Sequence, residues 1–441
     1  MTVRRIAPLA ILAAMFALLV LPVIILGFRS TAESYNQEMH HWLVIENFAE
    51  QWPRIDFSNY RSATSPGYHL LMAVPRKLGL ESPSSIQLIS SLFGLLVIAI
   101  TYLVLLKWVP PWQAFVMTLP VAVAPYIIST SSWLATDMLS LVLILLILFL
   151  CSFSPVTAGR LVLLSILASL AVYTRQINLW LIGPILLAGL IASPLGFSLP
   201  DRLQSELDVV RRPRNFWFAV LACIPPLLVL AYLVDQWGGL TPPGYRELHN
   251  SGINFATPGF FLALSGFYGI FLLPLLASCR GYLVVPWSRV IVVCFIALAI
   301  VLLGGSSHDQ EAGRWGGALW SLARIFPSIG NASVVLVPLA VLGALVLFSL
   351  WTIAMRTGSG RISTVLIISW FGSIAAQSFN SQCFQRYLGP LMIVLLTWLA
   401  VLAISGTRTR DRWWLAGFVL MALVQLAMAL VIVHGPSLGS G

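Results

Sequence analysis

Apolar stretches of 15–22 residues recur along this chain, separated by polar segments. A helical run of that length spans the apolar core of a bilayer. The stretches do not alternate with the period of two that a membrane strand shows. We therefore predict an all-α polytopic membrane protein, with residues 1–441 as a single integral membrane domain of about 11–14 helices. The predicted spans are 6–27, 86–106, 112–129, 137–153, 160–174, 177–195, 216–234, 258–276, 289–303, 332–354, 362–378, 388–404 and 413–432.

Three segments are less regular than the rest. Residues 160–195 are expected to form two short or broken helices rather than two full spans. The first span follows Arg4 and Arg5 as a signal peptide would, but its 22 apolar residues exceed a signal core, so we expect a retained anchor. Residues 196–215, rich in arginine and proline, are interpreted as a cytoplasmic connector.

The distribution of charge predicts the orientation. With a cytoplasmic N-terminus, the inner segments carry fifteen basic residues and four acids, whereas the outer segments carry ten basic residues and eleven acids. This bias follows the positive-inside rule. The net charge of +10 is therefore explained by topology, and no nucleic-acid partner is predicted.

The first outer loop, residues 28–85, is unusually polar. The chain is 59% hydrophobic and 9% charged, yet residues 28–67 contain five of its fifteen acids and two of its six histidines. The apolar residues between Trp42 and Ala49 follow a roughly helical spacing, which predicts amphipathic interfacial helices. Carboxylates and imidazoles can perform proton chemistry, so we interpret this loop as the mouth of an active site.

Other polar residues fall on the same predicted side. They include Asp137 and Arg175 at span ends and the segment 385–387 that opens a late span. A charge at such a position is costly in lipid unless it is paired or functional. A helix cap or an interfacial anchor is the alternative for each residue alone, but their convergence on one face favours a site.

Several other classes of site are excluded by the sequence. Of the five cysteines only Cys383 lies clearly outside, so no disulfide framework is predicted. No Cys/His spacing matches a zinc site, and there is no phosphate-binding Walker loop, dinucleotide fingerprint or nucleophile elbow. We predict no metal site from spacing and no certain cofactor.

Six short motifs follow one another in order along the chain. They are Tyr35-x-x-Glu38-x-x-His41, Thr64-x-Pro66-Gly67-x-x-Leu70, Thr136-Asp137, Arg175-Gln176-Ile177-Asn178-Leu179-Trp180, Gly238-Gly239 with Tyr245-Arg246 and His249, and Arg386-Tyr387-x-x-Pro390. Together they resemble the motifs of the GT-C class of membrane glycosyltransferases. Within that class they are most similar to the dolichyl-phosphate-glucose α-1,2-glucosyltransferase family. Gln37 departs from the pattern, because that family carries an acid there.

The resemblance implies transfer of a hexose, glucose in that family, from a polyprenyl or dolichyl phosphate to an acceptor hydroxyl on the outer face. The acceptor would be a glycan, a lipid or a protein. An inverting transfer needs one carboxylate as general base. The resemblance assigns this role to Glu38, with Asp137 as the second candidate. Alternatively, the two carboxylates would hold a divalent cation.

The departing phosphate requires cationic donors, for which arginine is suited. We assign this role to Arg175 with Arg386 or Arg246. The alternative for these arginines is snorkelling to lipid headgroups. The remaining predicted substrate-binding residues are His41, Trp42, Gln176 and Tyr387.

Two other functions are compatible with an all-helical membrane chain. A transporter or flippase of lipid-linked saccharides would carry ionisable residues near span centres and an internal repeat. An assembly factor would not require the charged residues to meet in one cavity. We expect a multi-pass protein of the bacterial inner membrane rather than the endoplasmic reticulum, with its site on the periplasmic or luminal side.

Overall fold

The computed structural model describes residues 3–27, 35–57, 60–153, 156–190, 213–246, 253–304, 317–330, 332–380, 382–407 and 412–434. These residues are almost entirely helical and include one short antiparallel pair of strands, β1 (Ser328–Ile329) and β2 (Ala332–Ser333). The helices are α1 (Val3–Leu26), α2 (Leu43–Gln51), α3 (Gly67–Lys77), α4 (Pro83–Leu105), α5 (Pro111–Ala122), α6 (Pro125–Ser132), α7 (Asp137–Cys151), α8 (Ala158–Thr174), α9 (Ile182–Leu190), α10 (Pro213–Trp237), α11 (Ala256–Gly269), α12 (Leu273–Ser278), α13 (Trp287–Gly304), α14 (Ala318–Ile325), α15 (Leu336–Arg356), α16 (Gly360–Gln377), α17 (Gln385–Ser405) and α18 (Leu415–His434).

Within the described residues, each predicted span overlaps one helix or two consecutive helices. Among the described residues, eight helices are long and apolar enough to cross a membrane, and the bent pair of α5 and α6 raises the number to nine. Three shorter apolar segments also occur, at Asp137–Cys151, Ala158–Thr174 and Gln176–Leu190. The predicted polytopic fold is therefore confirmed, and so is the expectation of short helices between residues 160 and 190.

The prediction of one continuous span at 112–129 is wrong, because the structure has two helices there. α5 and α6 meet at an angle of 65°. Ala124 is extended (φ −64°, ψ 129°) and Pro125 begins α6. A proline disfavours helical backbone in the residue before it and lacks the N–H that a continuous helix needs, so the span breaks here.

The first loop contains the predicted amphipathic helices. One turn of π-helix (Gln37–Trp42) leads into α2, and α3 follows. Val44, Phe48 and Ala49 of α2 are buried against Trp237, at the end of α10. The apolar side of α2 therefore packs on protein rather than facing lipid.

The end of the bundle that carries residues 35–77 is called the loop face below. A Cβ atom at Gly67 would lie 2.6 Å from the carbonyl oxygen of Tyr173, so only glycine allows α3 to dock against the end of α8. The orientation of this face in the membrane stays a prediction. Residues 196–212 of the predicted connector lie outside the described residues, and 213–215 open α10.

α17 is the central helix. Every residue from Leu388 to Ile404 is buried by the surrounding helices. Its first turn contains Arg386 and Tyr387 and reaches the loop face. The centre of the bundle therefore ends at the residues that the sequence singles out.

Candidate active site

Asp137 and Arg175 form an ion pair at the loop face. Asp137 is the first residue of α7, where a negative charge is favoured by the helix dipole. Arg175 follows α8 in extended conformation (φ −149°, ψ 118°). Its Nη1 donates to Asp137 Oδ1, and the two side chains are only 12% and 14% exposed. The pairing offsets the cost of shielding each charge from water.

The central helix brings a second arginine and a tyrosine to this pair. The guanidinium carbon of Arg175 lies 5.4 Å from the ring centroid of Tyr387, and that of Arg386 lies 5.5 Å from the same centroid. Arg386 is also 5.7 Å from the ring of Phe384. Two guanidinium groups therefore flank one aromatic ring beside one carboxylate, which leaves this position with a net positive charge.

These residues line a cleft, called the Asp137 cleft below. Its volume is about 30 Å³, which is room for a few water molecules at most. Polar groups line one part of it and apolar side chains of α7 and α17 line the rest. The polar lining residues are Asp137, Ser140, Arg175, Asn178, Ser373, Gln377, Arg386 and Tyr387.

Asn178 holds the segment that carries Arg175. It lies in the 3-10 turn Gln176–Leu181 and is buried. Its Nδ2 donates to Ser140 Oγ at 2.8 Å and to the Ala171 carbonyl at 2.9 Å. The amide therefore ties the turn to α7 and α8 together, which fixes where Arg175 emerges.

His41 belongs to a hydrogen-bonded row that starts beside this cleft. His41 Nδ1 is 2.9 Å from His69 Nε2, and His69 Nδ1 is 2.8 Å from Tyr60 Oη. His69 and Tyr60 are buried. His41 Nε2 has no hydrogen-bond partner among the residues that the structure describes.

Both imidazoles are held neutral. Burial lowers the pKa of His41 to about 3; Asp137 opposes this shift, while His40, Arg386 and Arg175 add to it. Burial, with a contribution from His41, also lowers the pKa of His69 well below its usual value. His41 does not line the Asp137 cleft, but it lies within electrostatic range of Asp137, Arg386 and Arg175.

His40 faces a different loop. Its Nδ1 is 2.6 Å from Tyr245 Oη, and Tyr245 Oη donates to the Arg61 carbonyl at 2.8 Å. Tyr245 lies in the short 3-10 turn Pro243–Tyr245. This contact joins the loop after α10 to the π-helical turn and so closes one side of the loop face.

Three predicted substrate-binding residues make structural contacts instead. Gln176 donates to the carbonyls of Ala63 (2.9 Å) and Leu240 (3.2 Å) and so joins two loops. Arg246 donates to the carbonyl of Trp237 and does not line the Asp137 cleft.

Trp42 is the third of them. The Arg76 guanidinium carbon lies 5.9 Å from its ring centroid, and Arg76 also pairs with Glu46 at 3.7 Å. Trp42 does not line the Asp137 cleft. Of the predicted phosphate-binding arginines, the structure therefore places Arg175 and Arg386 in the cleft, and of the predicted substrate-binding residues it adds Tyr387.

The two carboxylates proposed as bases have different surroundings. Glu38 is exposed on the π-helical turn and does not line the Asp137 cleft, whereas Asp137 lies within it. Neighbouring Gln37 is buried, and its Oε1 accepts from Gln87 Nε2 (2.8 Å) and from the Leu134 backbone N–H (2.9 Å). The position of the family's first acid therefore anchors the loop to the bundle in this chain.

Two apolar grooves lead away from the loop face. The loop groove, about 650 Å³, lies between residues 52–74 and helices α7 and α8, and it includes Leu139 and Thr174, close in sequence to Asp137 and Arg175. The α8 groove, about 800 Å³, runs between α8 and α10. Both are lined by Leu170 and Tyr173, so the two grooves adjoin.

Within the described residues, no group of three or more His, Cys, Asp or Glu side chains could hold a metal ion. Asp137 is engaged by Arg175, and Glu38 lies outside the cleft. The described geometry therefore does not fit the cation pair considered from the sequence.

Sequence reasoning did not assign roles to His69, Tyr60 or Asn178. His69 and Asn178 each lie next to or within a motif, which was the available signal. Tyr60 had none, because its contact with His69 depends on the fold of the loop.

No protein-family model matches the sequence, and no curated protein matches it. Among solved structures, the apo form of the Archaeoglobus fulgidus oligosaccharyltransferase aligns over 99% of this chain and 56% of its own length, at 13% identity and a TM-score of 0.50. This chain thus spans little more than half of that protein. ArnT from Cupriavidus metallidurans in its apo state aligns over 89% and 77%, at 15% identity and a TM-score of 0.35. ArnT bound to undecaprenyl phosphate aligns over 91% and 77%, at 13% identity and a TM-score of 0.38.

The likeness to the oligosaccharyltransferase concerns the arrangement of membrane helices. It shows that this chain has the GT-C membrane fold that its motifs predict. The narrower resemblance to the α-1,2-glucosyltransferase family stays a prediction.

Proposed function

We propose that the protein is a GT-C glycosyltransferase that moves a hexose from a polyprenyl or dolichyl phosphate to an acceptor hydroxyl at the loop face. The observation that carries this proposal is the Asp137 cleft, in which a carboxylate and two arginines meet at the end of the central helix. A lipid-phosphate sugar transfer needs these groups: a base for the hydroxyl and cations for the departing phosphate.

Arg175 and Arg386 are the groups that we assign to the phosphate. A guanidinium group can donate two parallel hydrogen bonds to phosphate oxygens. Among the residues that line the cleft, Asp137 is the single acid beside the two arginines. Arg175 already donates to Asp137, so a phosphate that binds its guanidinium has to compete with that carboxylate. Arg175 would then exchange Asp137 for the phosphate.

That exchange would also prepare the base. While Arg175 holds Asp137, the hydrogen bond from the guanidinium occupies Oδ1 of the carboxylate. When Arg175 turns to the phosphate, Asp137 is released beside the anomeric carbon that the same phosphate carries. We therefore favour Asp137 over Glu38 as the general base of a single-step, inverting transfer.

The two apolar grooves suit the isoprenoid tail of the donor. α8 is 17 residues long, which corresponds to about 25 Å of helix. The loop groove and the α8 groove lie along this helix and adjoin at Leu170 and Tyr173. A tail in them would keep its methyl branches out of water while its phosphate reaches Arg175.

Glucose is the sugar that the motif resemblance favours. The acceptor would be a lipid-linked saccharide, another lipid or a protein, since an open loop face imposes no single class. Arg175 and Arg386 supply positive charge for the departing phosphate.

The proposal is tested by mass spectrometry of lipid-linked and surface glycans from cells that express the wild-type chain, the Asp137→Asn variant or no chain. A hexose present only with the wild-type chain is the expected result. A flippase would instead move a labelled lipid-linked sugar across vesicle membranes without forming a new glycosidic bond. Unchanged glycans together with such movement would replace the transferase assignment.

A further inference from the structure

His41, His69 and Tyr60 form a continuous row of hydrogen bonds that starts on the π-helical turn, which Gln37 joins to the backbone N–H of Leu134, three residues before Asp137. The two distances, 2.9 Å and 2.8 Å, are ordinary for strong N–H···N and O–H···N contacts. Tyr60 Oη in turn contacts the hydroxyls of Ser62 and Thr64, and Thr64 is partly exposed. The row therefore joins a buried site to solvent through side chains that each donate and accept.

A neutral imidazole carries one N–H and one bare nitrogen, so the row has two consistent arrangements. In the first, His41 Nδ1–H donates to His69 Nε2 and His69 Nδ1–H donates to Tyr60 Oη. His41 Nε2 is then a bare acceptor toward the cleft. In the second arrangement every bond is reversed, and His41 Nε2–H is a donor.

We propose that this row is a proton relay for the Asp137 cleft, a role that rests on the proposed glycosyl transfer. In the transfer, the bond from the acceptor oxygen to the anomeric carbon forms while the bond from that carbon to the phosphate oxygen breaks. The hydroxyl proton goes to the Asp137 carboxylate and then to His41 Nε2. The Nδ1 proton of His41 moves to His69, that of His69 moves to Tyr60, and the Tyr60 proton leaves through Ser62 and Thr64.

The same row then resets itself. The transfer leaves it in the second arrangement, with His41 Nε2–H aimed at the cleft. That N–H gives its proton to the departing phosphate, and a proton returns from solvent through Thr64. The sum is one proton moved from the acceptor hydroxyl to the phosphate, with no oxidation or reduction. Neither ring has to become charged when both ends of a ring exchange protons together.

The surroundings of Tyr60 favour a relay over a simple packing contact. Its ring stacks on Phe48, with ring centroids 5.7 Å apart and an interplanar angle of 11°, and on Trp237, with centroids 6.0 Å apart and an angle of 3°. This stacking holds the Tyr60 hydroxyl against His69. The Tyr60→Phe variant therefore keeps this stack and removes only the end of the row.

The first experiment does not depend on transfer activity. The full chain, labelled with ¹⁵N-histidine and reconstituted in nanodiscs, is compared with Tyr60→Phe by NMR. A relay predicts altered ring-nitrogen shifts at His69 and also at His41, which Tyr60 does not touch. The matched control is Tyr245→Phe, expected to alter His40 alone. Unchanged His41 shifts in Tyr60→Phe would overturn the relay.

The second experiment uses chemical rescue. His69→Ala should lower kcat at least tenfold without changing KM for a polyprenyl-phosphate hexose. Added imidazole should restore several-fold of that loss. 1-Methylimidazole fills the same space but cannot pass a proton between its two nitrogens, so it should not. Equal rescue by both compounds would show a packing role.

The two experiments separate two failures. Coupled histidine shifts in a chain without transferase activity would refute the proposed function while leaving the connected row intact. An active wild-type chain with uncoupled histidines would refute the relay alone. If His69→Ala does not fold, the NMR comparison still decides.

Discussion

Arg175 pairs with Asp137, 38 residues away along the chain, and the same guanidinium lies over the ring of Tyr387. One side chain therefore links α7, the end of α8 and the central helix. An arginine so placed can exchange a carboxylate for a phosphate without leaving the cleft.

The two candidate bases should behave differently when their charge is removed. Asp137→Asn is expected to lower transfer by about 10²–10⁴-fold, the usual contribution of a general base. Glu38→Gln should lose far less, because Glu38 is exposed and does not line the cleft. Initial rates with a labelled polyprenyl-phosphate hexose measure both. The opposite ranking would restore Glu38 as the base.

Arginine-to-lysine exchange tests the phosphate site. Arg175→Lys and Arg386→Lys should each cut transfer at least about tenfold, since an ammonium cannot make the two-pronged contact. Membrane insertion should be unaffected. Arg76→Lys is the matched control. Arg76 does not line the cleft, and its guanidinium pairs with the Glu46 carboxylate at 3.7 Å. Normal donor turnover by both cleft variants would mean that neither arginine holds the phosphate as proposed.

Gln37 should matter for stability. Its Oε1 accepts two hydrogen bonds in a buried position. Gln37→Ala removes the acceptor of the buried Leu134 N–H, which costs about 1–3 kcal/mol, whereas Gln87 Nε2 keeps its bond to the Ser132 carbonyl. Thermal unfolding in detergent should show a lower midpoint. Asn47→Ala, whose Oδ1 accepts from Gln51 at 2.9 Å on an exposed surface, should change little.

His41 should make stability depend on pH. Its pKa is about 3 in the folded chain against an ordinary value of 6.5, so the unfolded state binds the proton more readily. The resulting stabilisation is complete above about pH 6.5 and is lost as the pH falls toward 3. The His41 ring is hydrogen-bonded to His69. Its pKa is also influenced by the charges of Asp137, His40, Arg386 and Arg175.

The measurement is the unfolding midpoint between pH 7 and 4 for the wild-type chain and His41→Gln. The midpoint of the wild-type chain should fall as the solution is acidified, and the variant should fall less. Equal slopes would show that folding does not lower the pKa of His41.

Donors of different chain length test whether the isoprenoid tail occupies the loop groove and the α8 groove. Leu170→Trp should obstruct the junction of the loop groove and the α8 groove and so raise KM for a long-chain polyprenyl-phosphate hexose. A short-chain analogue that occupies only the loop groove should be affected less. Leu163→Trp is the control: Leu163 lies on the same helix but lines neither groove. An equal effect on both donors would place the tail elsewhere.

The sequence by itself determined the membrane architecture and the region of the site. Apolar runs and amphipathic spacing are local properties, because each helix satisfies its own backbone hydrogen bonds and needs only a matching solvent. Within the described residues the predicted spans therefore overlap helices, eight or nine of which are long enough to cross a membrane, and the first loop contains amphipathic helices as predicted. The break at Ala124 was readable in principle from Pro125.

Only the tertiary structure decided how the polar residues divide their roles. Gln176 and Arg246 carry side chains that suit a substrate, yet they bind backbone carbonyls of neighbouring loops. Asp137 enters the cleft and Glu38 does not. His69 joins His41 to Tyr60 through contacts that span 28 and 9 residues of chain. Such assignments depend on which loops pack together, and hydrophobic periodicity contains no record of that packing, because it reports only the side of a helix that avoids water.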